Sequence, residues 1–244
     1  MPLDEPAGLS VIAVTGVGEV RPGDDLGEVL ASAVEDSSGA TLLRSGDVLV
    51  VTQKVVSKAE GRIVALDPDD PEAKIRLVEK EAVRVLRRRG DLRITETAHG
   101  FVCANAGIDL SNVDEGTAAL LPIDADRSAR RLRADLRRRC GVEVAVIISD
   151  TFGRTWRNGV TDVAIGCAGI VAVIDLRGTR DAGGRELVAT EVCIADELAA
   201  AAELVMGKDR AVPAAVVRGV APGWLGHGSV AAEIVRRPGD DLFR

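Results

Sequence analysis

The sequence predicts a mixed α/β protein, because β-branched apolar runs alternate along it with segments of helical periodicity. Two of those segments carry acids at the front and arginines at the back, the charge order that a helix dipole favours. The run "VAVII" ends in Ser149 and Asp150, the pattern of a buried strand that delivers a carboxylate to a cleft.

The elements follow in order. "SVIAVTGV" reads as a strand, and the acidic pair Asp24 and Asp25 starts a helix that runs from Asp24 to about Val34. "GDVLVVTQKVVSKAEG" is β-branched and reads as one or two strands, interrupted at Gln53 and Lys54 and closed by a turn at Gly61. From about Pro71 to Arg89, Ile75, Val78, Ala82, Val85 and Leu86 recur at helical spacing, which predicts a single amphipathic helix. "DADRSARRLRADLRRRCG" predicts another, leading into the strand "VEVAVIIS". "DVAIGCAGIVAVIDLRG" then reads as strand, "ATEVCIADELAAAAELVMG" as helix and "VPAAVVRG" as a last strand. No Gly/Ser or Pro linker and no internal repeat divides the chain, so residues 1–244 are expected to form one unit.

Composition narrows the function. With 46% hydrophobic positions in 244 residues the chain can bury a sizeable core, and its net charge of -7 argues against wrapping nucleic acid or adhering to anionic membranes. The arginine-rich helix ends lack interleaved aromatics for base stacking and are explained by the helix dipole. The acidic start is neither a signal peptide nor a span, so a cytoplasmic protein is expected. Cys103, Cys140, Cys167 and Cys193 are widely spaced and read as reduced core residues.

No P-loop pattern occurs, and "GVGEVRPG" misplaces the third glycine of a dinucleotide fingerprint and puts Pro22 where the helix should open, so neither a Rossmann nor a P-loop site is expected. The strand–loop–helix from Val14 to Leu26 is either an ordinary turn or a set of free backbone N–H groups for an anion. Asp109 in "AGIDLSNV", and Asp150 with Thr151 in "ISDTFGR", offer hard oxygens suited to Mg²⁺ or Mn²⁺; the alternative for each Asp is a cap or Asx turn. Arg154 and Arg157 suit carboxylate or phosphate, and Trp156 either stacks on a planar ring or anchors the loop. Lys54 and Lys58 either neutralise a phosphate or are solvated.

Taken together, "GVGEVRPGDDL", "GDVLVVTQKVVSKAEGR", "AGIDLSNV", "ISDTFGRTWRNGVTDVAIGCAGI" and "GRELVATEVCIADELAAAAELVMGK" resemble the coenzyme F420-0:L-glutamate ligase family over about residues 10 to 219. "RPGDDL" early and "RRPGDDLF" late resemble its actinobacterial form, in which an FMN-binding, nitroreductase-like domain follows, so residues 1–244 are expected to be the ligase domain alone. The resemblance implies a GTP-dependent amide ligase that adds L-glutamate to coenzyme F420-0 and extends a γ-linked tail. It also implies Mg²⁺ or Mn²⁺, K⁺ as a helpful ion, an intertwined homodimer, and an α/β fold of the family's own type. Carried over by position, Val17, Gly18, Glu19 and Val20 fall on the nucleotide loop, and Gln53, Lys58 and Asn112 on further GTP contacts. Asp109 and Asp150 fall on ligands of one divalent metal and Thr151 on a ligand of a second. Where relatives tend to carry a glutamine that helps hold the second metal, this chain has Lys208, a cation unsuited to that task.

The implied chemistry needs no protein nucleophile, in keeping with the absence of a Ser/His or Cys/His pattern. Two rival readings remain: a different metal- and nucleotide-dependent carboxylate ligase or phosphotransferase on the same scaffold, and a nucleic-acid-binding module.

Overall fold

The computed structural model describes residues 8–35 and 38–242. The first strand, β1 (Ser10–Val14), is followed by helix α1 (Leu26–Ala33), whose N-cap Asp25 accepts the Glu28 N–H at 3.0 Å. Strand β2 (Val48–Thr52) runs without a break into helix α2 (Gln53–Ala59), so the expected second strand is a helix. The valines at 55 and 56 favour strand, but tertiary packing overrides them. Gln53, Val56 and Ser57 turn inward at helical spacing, and the Ser57 hydroxyl donates to Gln53 Oε1 at 2.7 Å.

Beyond the short strand β3 (Ile63–Ala65), the long helix expected from Pro71 to Arg89 is also revised. It divides into helix α3 (Ala73–Glu81) and strand β4 (Ala82–Arg89), which folds back on β5 (Leu92–Thr97) through Gly90 and Asp91. Gly90 takes the positive φ, 55°, that such a turn needs. Strand β6 (Val102–Ala104) completes this three-stranded sheet, and β7 (Thr117–Ala119) pairs with β3.

Helix α4 (Ala125–Cys140) follows its sequence signals: Asp124 caps the Arg127 N–H at 2.8 Å, three arginines fill the last turn, and Gly141 ends it at φ 68°. Strands β8 (Ala145–Arg154) and β9 (Arg157–Ala168) form a long hairpin. The segment after Asp150, read as a loop, therefore continues the strand. Strands β10 (Ile174–Asp175) and β11 (Glu191–Val192), helix α5 (Ile194–Met206), strand β12 (Ala214–Arg218) and the short helix α6 (Val230–Glu233) complete the described strands and α-helices.

The central five-stranded sheet has the order β1-β12-β2-β8-β9, with β2 and β8 parallel and the other neighbours antiparallel. Along β2 and β8 successive residues alternate between its faces. Leu49, Val51, Val146 and Ile148 meet α1 and α4 residues such as Leu30, Leu132 and Leu136; Val48, Val50, Ala145 and Ile147 meet Leu198 and Met206 of α5. Helices cover both faces, so Val48–Val51 of β2 and Ala145–Ile148 of β8 are unbroken apolar runs rather than alternating with polar residues. Gly166 lets α4 pack closely on β9: a Cβ there would lie 2.3 Å from the backbone carbon of Ala125 at the start of α4. Among the described residues no helix is long and apolar enough to cross a membrane. All four cysteines are free, Cys103 and Cys167 buried and the other two half-buried.

Candidate active site

The parallel pairing of β2 with β8 ends, at Thr52 and Ser149, on one cleft of about 520 Å³, the edge of an open α/β sheet at which ligands gather. β2 passes into it through Thr52, Gln53 and Lys54, and β8 through Ser149, Asp150 and Thr151. The 17–20 loop after β1, the 109–114 loop and the turn after α5 close its sides.

The structure brings together Val17, Gly18, Glu19, Val20, Gln53, Lys58, Asp109, Asn112, Asp150 and Thr151, all of which line this cleft. Lys58 pairs with Glu19, joining α2 to the 17–20 loop. Gln53 is 2% exposed and its Nε2 has no hydrogen-bond partner, a buried amide donor beside the cavity. Asn112 adopts φ 52°, a left-handed conformation that asparagine tolerates better than most residues.

Asp109 forms an Asx turn, its Oδ1 accepting the Ser111 N–H at 2.7 Å, and its Oδ2 lies 2.8 Å from Lys54 Nζ. Its backbone is fixed by paired hydrogen bonds with Ala119 of β7. Desolvation pushes its pKa up, but the Lys54 ammonium and the Ser111 donors outweigh this and hold it below the usual value. Asp150 behaves oppositely. Desolvation, reinforced by the charges of Asp109 and Asp162, raises it to about 7 against the opposing Thr151 N–H and Lys208.

Three residues that carried no role in the sequence reading complete the wall. Asp162 of β9 stands directly opposite Thr151 in the hairpin register, is 2% exposed, and accepts the Ser149 hydroxyl at 3.0 Å and the Thr151 hydroxyl at 2.7 Å. Glu203 comes from the last turns of α5, and Ser149 from β8. The one available signal was the acid, Asp162, that heads the otherwise apolar stretch "DVAIGCAGI".

Arg154 and Arg157 lie elsewhere. They pair across the end of the β8–β9 hairpin, outside the cleft lining, and Arg154 Nη2 donates to the Asn158 carbonyl at 2.8 Å. Trp156 takes φ 60° in the turn and is 81% exposed, so it does not anchor this segment to the core.

Seven acidic side chains and three lysines line the cleft, so its wall carries more acidic than basic groups, a surplus that an added cation would offset for an anionic ligand. Among the described residues no group of three or more His, Cys, Asp or Glu side chains converges as a closed metal cage. Asp109 and Asp150 nevertheless fit Mg²⁺ or Mn²⁺, which bind through one or two carboxylates and complete their shell with water and phosphate oxygens. The Thr151 hydroxyl donates to Asp162 and accepts from Lys208, so a second ion could reach it only by displacing that ammonium.

The family model of F420-0:gamma-glutamyl ligases matches residues 16–219, which span every segment of this cleft. The chain belongs to that family. Among similar members, the coenzyme F420:L-glutamate ligase of Methanothermobacter thermautotrophicus is 42% identical over 252 residues, covering 97% of this chain and 99% of its own. That of Methanopyrus kandleri is 45% identical, covering 93% and 94%, and that of Archaeoglobus fulgidus 40%, covering 97% and 96%. Membership in the F420-0:gamma-glutamyl ligase family places the chain among enzymes that form carbon–nitrogen bonds.

Proposed function

We propose that the chain joins L-glutamate to the carboxylate of coenzyme F420-0 and extends a γ-linked glutamate tail at the expense of GTP. The family supports the glutamylation. The observation that carries the rest is the cleft itself, where the free donor of Gln53 and the ammonium groups of Lys54, Lys58 and Lys208 share one cavity with Asp109 and Asp150, two carboxylates suited to a hard cation.

A carboxylate resists attack by an amine until one oxygen becomes a good leaving group. The F420-0 carboxylate attacks the γ-phosphorus of GTP, forming an O–P bond as the bond to the β-phosphate oxygen breaks and GDP departs. The α-amine of glutamate then attacks the acyl carbon, phosphate leaves, and the amine loses its proton. The 17–20 loop and Asn112 hold the nucleotide, Gln53 donates to it, and Lys58 neutralises phosphate charge while Glu19 keeps it in place. Asp109 and Asp150 hold Mg²⁺ or Mn²⁺, which supplies charge neutralisation at the phosphates when bound. K⁺ belongs to the same reading as an assisting ion. The transfer so drawn needs no protein nucleophile.

The homodimer is part of this proposal. Trp156 and Val160, 81% and 62% exposed on the projecting hairpin, are apolar surface that association would cover. Arg154 and Arg157 on the same hairpin, neither of which lines the cleft of its own chain, are proposed to contact anionic substrate across the dimer.

Incubating the chain with F420-0, GTP, Mg²⁺ or Mn²⁺ and glutamate, and following products by mass spectrometry, tests the reading. Stepwise glutamyl additions with release of GDP are expected. Turnover with ATP alone, or with a different acid, would move the chain to the rival ligase or phosphotransferase reading.

A further inference from the structure

Lys208 sits at the turn after α5. Gly207, at φ 64°, reverses the chain so that the lysine returns over the last helical turns to Glu203, with Nζ 3.0 Å from Oε1. The same ammonium lies 2.9 Å from Asp162 Oδ1 and donates to the Thr151 hydroxyl. Its three N–H bonds therefore meet three oxygens from β8, β9 and α5, two of them on carboxylates that burial would make costly to leave unpaired. Burial works against the charged form, but Asp162 and Glu203 outweigh it and raise the pKa above the ordinary lysine value, so the group stays cationic at neutral pH.

This constellation has the make-up of a cation site with its cation covalently attached. Hard oxygens converge, the hydroxyl of Thr151 directs its proton to Asp162 and its lone pair inward, and a positive charge already occupies the centre. An incoming divalent ion would have to expel an ammonium held by two carboxylates. We propose that Lys208 is a built-in counter-charge that fills the place of a second divalent ion, so that each chain takes a single divalent cation, at Asp109 and Asp150.

The proposal rests on the metal- and nucleotide-dependent reading above. It assigns Lys208, Asp162 and Glu203 as positioning residues that fix the charge of the cleft wall. Removing the ammonium would leave behind a vacant site of Asp162 Oδ1, the Thr151 hydroxyl and Glu203, whose buried Oε2 already has no hydrogen-bond partner.

Bound Mn²⁺ is counted from the loss of the free-ion electron paramagnetic resonance signal, for wild-type chain and Lys208→Gln. Each is measured alone and with one equivalent of guanosine 5′-(β,γ-imido)triphosphate. The expected results are one Mn²⁺ per chain in the wild type, with no dipolar broadening between ions, and two in Lys208→Gln. Two ions in the wild type, or none, would overturn the proposal, and so would a count of one in a folded Lys208→Gln. The wild-type count decides even where the variant fails to fold. Failure of the guanine nucleotide to bind, with the Mn²⁺ count of the chain alone still at one, would tell against the GTP reading and leave the assignment of Lys208 standing.

Discussion

Lys54 Nζ lies 2.8 Å from Asp109 Oδ2 and 2.8 Å from Ser111 Oγ, so the first turn of α2 is tied to the 109–114 loop across the mouth of the cleft. A divalent ion arriving at Asp109 competes with that ammonium. Lys54→Ala is expected to tighten Mn²⁺ binding without nucleotide about fivefold, corresponding to about 1 kcal/mol for a partly exposed pair. Titration calorimetry reads this directly, and an unchanged affinity would mean that ion and ammonium do not compete.

Asp150 makes the metal-free protein sensitive to pH. An ordinary aspartate titrates near 3.8, whereas in the folded chain Asp150 is raised to about 7, so the folded state binds this proton more tightly than the unfolded state. Its contribution to stability is therefore fullest at low pH and is lost as pH rises from about 4 to about 7. Asp109, lowered from the same reference, acts in the opposite sense, its contribution being lost only as pH falls below the usual carboxylate range. Denaturant melts of the metal-free protein are expected to lose on the order of 2 kcal/mol between pH 4.5 and 7.5. Asp150→Asn should flatten that slope and abolish divalent-dependent turnover with the fold intact. A slope surviving the substitution would locate the titrating group elsewhere.

Gly166 and Ala125 bring α4 against β9 more closely than any side chain would allow. Gly166→Ala is expected to lower unfolding stability by about 1–3 kcal/mol, since neither backbone can retreat without disturbing the buried sheet. A melting temperature equal to that of the wild type would show that the two elements separate freely.

At the tip of the hairpin, Trp156→Ala is expected to shift the protein towards monomer in sedimentation velocity. Arg157→Ala should raise KM for F420-0 or glutamate several-fold without changing the melt. Unchanged KM values for both substrates would remove Arg157 from substrate binding.

The sheet was readable because burial on both faces leaves a one-dimensional trace, an unbroken apolar run in both β2 and β8. Helices α1 and α4 were readable from local chemistry, since Asp25 and Asp124 cap N–H groups three residues away. Local patterns misled where tertiary pairing prevailed. Val55 and Val56 concealed α2, and the spacing of Ile75 and Val78 runs on so smoothly to Ala82 and Val85 that the break between α3 and β4 left no mark. In the site, residues on short motifs were found through resemblance and do line one cleft. Asp162 and Glu203 were missed because their partners, Ser149, Thr151 and Lys208, come from separate elements, and no sequence spacing encodes such a meeting.

The order of the central sheet also bears on how the chain reaches its native state. β12, residues 214–218, is inserted between β1 and β2, two strands from the first quarter of the sequence. Until that late segment emerges, β1 and the adjacent edge of β2 expose backbone donors and acceptors ready to pair with any other chain. Closing such distant contacts is slow. Premature termination before residue 214 should therefore yield an aggregating product in place of a smaller folded one.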